Sequence, residues 1–141
     1  MSAGADCIFC RIVAGDVPAR VVHADEHAVA FLDVAPWHRG HTLVVPRRHV
    51  DSLVSGTAVL ADVAPAVDVT ARLLVDRLAA DGVNLVSSAG SVAGQEVFHL
   101  HLHLVPRYAA APGLAALFSR DASGDAALDA VHAELTGSGR A

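Results

Sequence analysis

The stretch Val97–Tyr108, VFHLHLHLVPRY, places histidine at every second position, at His99, His101 and His103. In an extended chain alternate side chains share a side, so these imidazoles line one face about 6.6–6.8 Å apart. Phe98, Leu100, Leu102 and Leu104 then point the other way, onto a core. A polar strand face that happens to be histidine is a poor account of three in five residues. Two chemistries fit better. Imidazole is the commonest transition-metal ligand, so the face could chelate a metal. Alternatively, one imidazole attacks an electrophile while its neighbours fix its tautomer and stabilise the developing charge. The preceding loop, AGSVAGQE, bears on that choice. Gly90 and Gly94 would let backbone amides approach an anion, Gln95 adds an amide donor, and Arg107 follows the strand. Together they suggest a phosphoryl group delivered to an imidazole.

A second constellation is Cys7-x-x-Cys10. A redox pair of that spacing belongs beside a βαβ pattern, which this chain lacks, whereas two buried thiols would be unremarkable. Two cysteines in all are too few for a disulfide framework, and a reducing compartment would keep them as thiols.

The elements that must position these residues follow from periodicity and breakers. MSAGAD reads as a mobile start, and Gly15–Asp16 and Pro18 as turn formers ahead of a strand at 20–23. Residues 27–34 and 42–46 read as strands, separated by the loop APWHRGH. Residues 49–57 read as turn or brief helix. The main helix is expected over 59–80, beginning close to Pro65, with Val63, Val67, Leu74 and Leu78 on its apolar side. Strands follow at 83–88 and 97–105. Beyond Tyr108 the Gly/Ser/Ala-rich composition suggests a loosely attached tail with a short helix over 125–135. The fold class is therefore α+β: a five-stranded antiparallel sheet, one main helix and a short second helix, in one domain spanning 1–141. A net charge of −5 gives no global field for nucleic-acid polymers or anionic membranes. Charged residues interrupt every apolar run well short of about 20 residues, and no signal-peptide pattern opens the chain, so a cytoplasmic location is expected.

The chain resembles the histidine triad superfamily of nucleotide hydrolases and transferases, and within it the bacterial Hint-like branch. HLHLHLV at 99–105 fits the family's alternating histidine–apolar signature. CIFCRIVAGDVPARVV, AFLDVAP, GHTLVVPRRH and AGQEVFHLHLHLVPR match in family order, covering about residues 7–108. The resemblance implies that His101 attacks the α-phosphorus of a purine nucleotide, whether a phosphoramidate, an ester or a dinucleoside polyphosphate, giving a nucleotidyl-histidine that water cleaves. It implies that His99 and His41 support the nucleophile and that His103 donates to a phosphate oxygen. It places Asp33 on the ribose, and Phe9, Ile12, Val17, Leu32 and Val34 around the base. Ser88, Gly94 and Gln95 fall near the phosphate. It further implies a structural zinc on Cys7, Cys10, His49 and His99, and a homodimer with a continuous larger sheet.

Two positions depart from the family pattern. Ser88 stands where Asn is usual, and Glu96 where Ser or Thr often assists the leaving group. A carboxylate there would repel a phosphate unless turned away or protonated. These departures keep two other readings in view: a nucleotide-binding regulatory module with weak turnover, and a metal-dependent hydrolase using the triad as ligands. Outside these sets, His38 reads as a loop residue, and His23, His27 and His132 as surface residues.

Overall fold

The computed structural model describes residues 6–55 and 58–137. Its centre is an antiparallel sheet of β1 (Val21–Ala24), β2 (Ala28–Leu32), β3 (Thr42–Pro46), β4 (Gly82–Val86) and β5 (Leu102–Arg107), in the order β1-β2-β3-β5-β4. Helix α1 (Ile8–Ala14) covers one face, and α2 (Val59–Leu78) and α3 (Asp125–Thr136) lie on the other.

Alternation along the inner strands sorts the two faces. Ala28, Ala30 and Leu32 of β2, Val44 of β3, and Leu102 and Leu104 of β5 pack into one core with Val63, Leu74 and Leu78 of α2. Val29, Phe31, Leu43 and Val45 point the other way and pack under Phe9. Covered on both sides, β2 and β3 are buried along their whole length, which is why they read as continuous apolar runs.

Four features differ from expectation. Residues 8–14 form a helix: the Cys7 sulfur caps its start by accepting the Cys10 amide, and Gly15 ends it at φ +84°. At seven residues it is too short to show a helical period in sequence. Helix α2 begins at Val59, a turn and a half before Pro65, which sits on the exposed side where an unpaired carbonyl can be hydrated. Strand β5 begins only at Leu102, so His99 and His101 precede the paired segment, and Phe98 is half-exposed. The tail is firmly packed. Leu128, Val131 and Leu135 of α3 are buried, and Arg20–Asp129 and Arg39–Glu134 ion pairs tie the helix to the body.

Candidate active site

Every second residue from Leu100 to Leu104 enters the main core, which leaves His99, His101 and His103 on the α1 face of the sheet. There they meet different neighbours. His99 is fully buried, and its Nε2 lies 2.8 Å from the carbonyl of Pro46. A carbonyl only accepts, so Nε2 carries the proton and the Nδ1 lone pair is free. That lone pair faces Cys7 and Cys10, each sulfur 3.4 Å away, and His49 Nδ1 at 3.2 Å. His49 Nδ1 is 3.3 Å from the Cys10 sulfur, and its Nε2 is 3.1 Å from an Asp51 carboxylate oxygen.

Zinc bonds of about 2.3 Å to sulfur and 2.0–2.1 Å to nitrogen place tetrahedral ligands roughly 3.3–3.8 Å apart. The Cys7, Cys10, His49 and His99 donor atoms all lie within 4.8 Å of one another. Carbonyl and carboxylate partners on the far nitrogens of both histidines turn the near nitrogens toward the ion. Burial, reinforced by Cys7, pushes the Cys10 thiol up to about 11, and burial holds His99 down to about 4. A cation at this point would favour the thiolates, and the neutral imidazole is the form that ligates. The four residues fit zinc.

His101 has another partner. Its Nδ1 is 2.8 Å from the backbone carbonyl of His99, so a neutral ring keeps its lone pair on Nε2. The ring lines a cavity of about 750 Å³, with Phe9 edge-on at a centroid distance of 5.1 Å. The Ser87 hydroxyl donates to the His101 carbonyl at 2.8 Å and fixes the backbone there.

His103 ends a chain whose proton positions follow from its first member. The Trp37 backbone amide can only donate, and it does so to His41 Nδ1 at 3.0 Å. Neutral His41 therefore carries its proton on Nε2, which lies 2.9 Å from His103 Nδ1. Neutral His103 must then carry its own proton on Nε2 and offer it as a donor. Burial, reinforced by the neighbouring imidazoles and opposed only at His103 by Asp33, holds His41 down to about 3 and His103 to about 4, so both stay neutral near pH 7. Asp33, His41 and His103 also cluster at metal-ligand spacing. The same tautomers argue against an ion there, because the Trp37 amide holds the His41 Nδ1 lone pair and Nε2 is occupied by a proton. Gly40 (φ +89°) sets up this corner: a Cβ there would collide with Leu78.

The expected residues divide plainly. His101, His103, Asp33, Phe9, Ile12, Val17, Leu32, Val34, Ser88 and Gly94 line the cavity. His41 and His99 stand behind it. Gln95, expected as a donor to substrate, is a correction: its amide donates to the carbonyls of Asp51 and Val97, and its oxygen accepts the Gly90 amide. The glycine loop likewise spends its own donors, since the amides of Ala93, Gly94 and Gln95 bond within it. Gly94 thus contributes a wall, not an anion cradle. Ser88 has no hydrogen-bond partner among the described residues, so its hydroxyl is free. Trp37, Phe118, Arg20 and Arg120 also line the cavity and were not singled out from sequence as substrate-facing. Trp37 stacks on His103 at 4.6 Å.

A five-stranded antiparallel sheet with a histidine strand under an apolar cavity defines a histidine-triad domain. The HIT domain matches residues 14–110. Protein hit of Bacillus subtilis is 41% identical over 123 residues, covering 86% of this chain and 85% of that protein. Among solved structures, a Zn-bound histidine triad family protein from Mycobacterium smegmatis is 36% identical with a TM-score of 0.78, covering 96% of both chains. Adenylylsulfatase HINT3 of Arabidopsis thaliana is 33% identical over 103 residues, which is 72% of this chain and 52% of that protein. The chain belongs to the HIT family. Among the described residues no helix is long and apolar enough to cross a membrane.

Proposed function

We infer that this protein hydrolyses or transfers purine nucleotides at the α-phosphate through a covalent intermediate on His101. The observation that carries the reading is the 2.8 Å bond from His101 Nδ1 to the His99 carbonyl, which leaves Nε2 as the nucleophilic nitrogen at the cavity. Nε2 attacks the α-phosphorus as the bond to the leaving group breaks. His103, held neutral with its proton on Nε2, donates to a phosphoryl oxygen as charge builds there. The free Ser88 hydroxyl supplies a second donor. Asp33 holds the ribose hydroxyls, and Phe9, Ile12, Val17 and Val34 enclose the base. Water then cleaves the phosphorus–nitrogen bond and releases the nucleoside monophosphate.

The HIT family as a whole supports nucleotide chemistry, and the adenylylsulfatase relative supports hydrolysis in particular. Zinc on Cys7, Cys10, His49 and His99 is a closed tetrahedral set and would brace α1 against the sheet, with no open position for substrate. The zinc-bound relative supports that loading. A homodimer joined along the open edge of β4, where Leu85 is exposed, would extend the sheet. Glu96 at the cavity wall favours one second reading, a nucleotide-binding module that turns over slowly.

The test is mass spectrometry of protein mixed with adenosine 5′-phosphoramidate and quenched in base, where phosphoramidate-type adducts survive. A nucleotidyl adduct mapping to His101 is expected. Tight binding with neither adduct nor turnover would favour the module instead.

A further inference from the structure

A second cavity, of about 380 Å³, reaches the cysteine set. Cys7 and His49 line it, whereas Cys10 and His99 do not, and both cysteines are half-buried. Asp6 and Glu96 also line it and are exposed, so their carboxylates disfavour anions and leave the cavity to small neutral molecules. Ile8, Glu96 and Val97 border both this cavity and the larger one beside His101.

The two thiols are placed to join. The Arg11 amide donates to the Cys7 carbonyl at 3.1 Å and the Cys10 amide to the Cys7 sulfur at 3.4 Å, so Cys7 and Cys10 stand one helical turn apart. Three residues of helix put their Cα atoms about 5 Å apart, inside the window of about 4.4–6.8 Å in which a disulfide closes without backbone movement. The same sulfurs cannot serve both ends. As zinc ligands they are thiolates roughly 3.8 Å apart. In a disulfide they are uncharged and about 2.05 Å apart. Zinc and disulfide therefore exclude one another.

The choice between them bears on the nucleotide cavity. Cys7 and Cys10 flank Phe9, whose ring lies 6.0 Å from that of His99 and 5.1 Å from that of His101 and forms part of the cavity wall. The other two ligands, His49 and His99, follow β3 and precede β5, so the four-residue set ties the helix carrying Phe9 to the residue whose carbonyl holds His101.

We propose that Cys7 and Cys10 are a peroxide-responsive pair whose oxidation to a disulfide ejects zinc, frees α1 and weakens nucleotide binding. This rests on the zinc loading and the nucleotide cavity described above. Cys7, the thiol on the small cavity, reacts first: its sulfur attacks the terminal oxygen of a hydroperoxide as the O–O bond breaks. The departing oxygen keeps the electron pair and takes a proton from solvent, leaving a sulfenic acid on Cys7. The Cys10 sulfur then attacks the Cys7 sulfur and displaces hydroxide, which a second proton converts to water. Two electrons pass from the sulfur pair to the peroxide, and the neutral disulfide no longer holds the ion. A dithiol reductant and zinc reverse the change.

The chain has no other cysteine, and its one methionine is Met1, so peroxide has few competing targets. Reduced, zinc-loaded wild type would be exposed to hydrogen peroxide beside a chromogenic zinc chelator, and its tryptic peptides then mapped by mass. One zinc is expected to appear for each Cys7–Cys10 disulfide. AMP affinity, read from the fluorescence of Trp37 in the cavity wall, should fall at least about fivefold and return with dithiothreitol and zinc. Stripping zinc from the reduced protein should weaken AMP equally, and saturating AMP should tighten zinc by the same factor. Zinc kept through complete oxidation, or zinc lost without the Cys7–Cys10 disulfide, overturns the switch. Disulfide and zinc loss with unchanged AMP affinity overturns its link to the nucleotide cavity. Reduced protein that takes up no zinc overturns the zinc reading and the switch with it, while release of zinc from a protein that binds no AMP overturns the nucleotide reading and the link.

Discussion

His99 and His101 are joined through a single carbonyl: the backbone oxygen of His99 takes the Nδ1 proton of His101 at 2.8 Å, while the His99 side chain faces the Cys7 and Cys10 sulfurs. One residue thereby sets the tautomer of its neighbour with its main chain and closes a metal-ligand set with its ring. Any shift of α1 that moves the sulfurs reaches the nucleophile through one peptide unit.

Removing the nucleophile is the sharpest test of the site. His101→Gly is expected to lower kcat by at least about 10⁴-fold, by analogy with loss of a nucleophile that acts as a unit with its partners. No adduct should form in the variant. Turnover equal to wild type would assign the attack to another group.

His41 acts behind His103 as a positioning residue. In His41→Phe the His103 ring loses the partner that fixes its proton on Nε2. We expect kcat to fall about 10²-fold, in the range for losing one donor to a developing oxyanion, with KM within about twofold. A fall carried by KM alone would show that His41 shapes binding instead.

Zinc content answers for the cysteine set. Elemental analysis of wild type is expected to give one zinc per chain, and Cys7→Ser or Cys10→Ser should lose most of it. Because metal binding is linked to folding, each variant should also melt roughly 10 °C lower. Full zinc in Cys7→Ser would remove that residue from the set.

Stability should depend on pH through His41 and His103. Their folded values, about 3 and about 4, lie below the ordinary 6.5. As pH falls from 6.5 toward 4, the unfolded chain takes up protons that the folded site refuses. Stability contributed by these groups is complete above about 6.5 and declines through that window, by an amount on the order of several kcal/mol. Melting curves between pH 7 and 4 should show the decline, and a His103→Asn variant should flatten it. A flat wild-type profile would contradict the burial of these imidazoles as neutral rings.

Much of this architecture was legible in the chain. The apolar runs of β2 and β3 and the apolar side of α2 are strong local patterns, and the alternating histidines are plain in the sequence. Short or diluted signals were less visible. Helix α1 completes barely two turns, and α3 is masked by the Gly/Ser/Ala stretch before it. The placing of Phe118 and Arg120 depends on bonds to Pro36, Trp37 and His38, some eighty residues earlier, which no local pattern encodes. Gln95 misled for a related reason. An amide in a glycine loop suits an anion or the loop's own carbonyls equally well, and only the folded loop shows the second.

Phe9, His101, His103, Trp37 and Phe118 stand ring against ring along the cavity, and the two ends of that row lie on separate pieces of chain. His103 belongs to β5 and His101 stands just before it with its backbone pinned by Ser87, while the Phe9 end depends on α1 and the Phe118 end on the segment after β5. Chemistry and selectivity are thus mechanically separable. Residues 109–121 could be exchanged or lengthened to reshape the cavity mouth without disturbing the backbone that carries the attack, which makes this segment the natural place to re-engineer the protein.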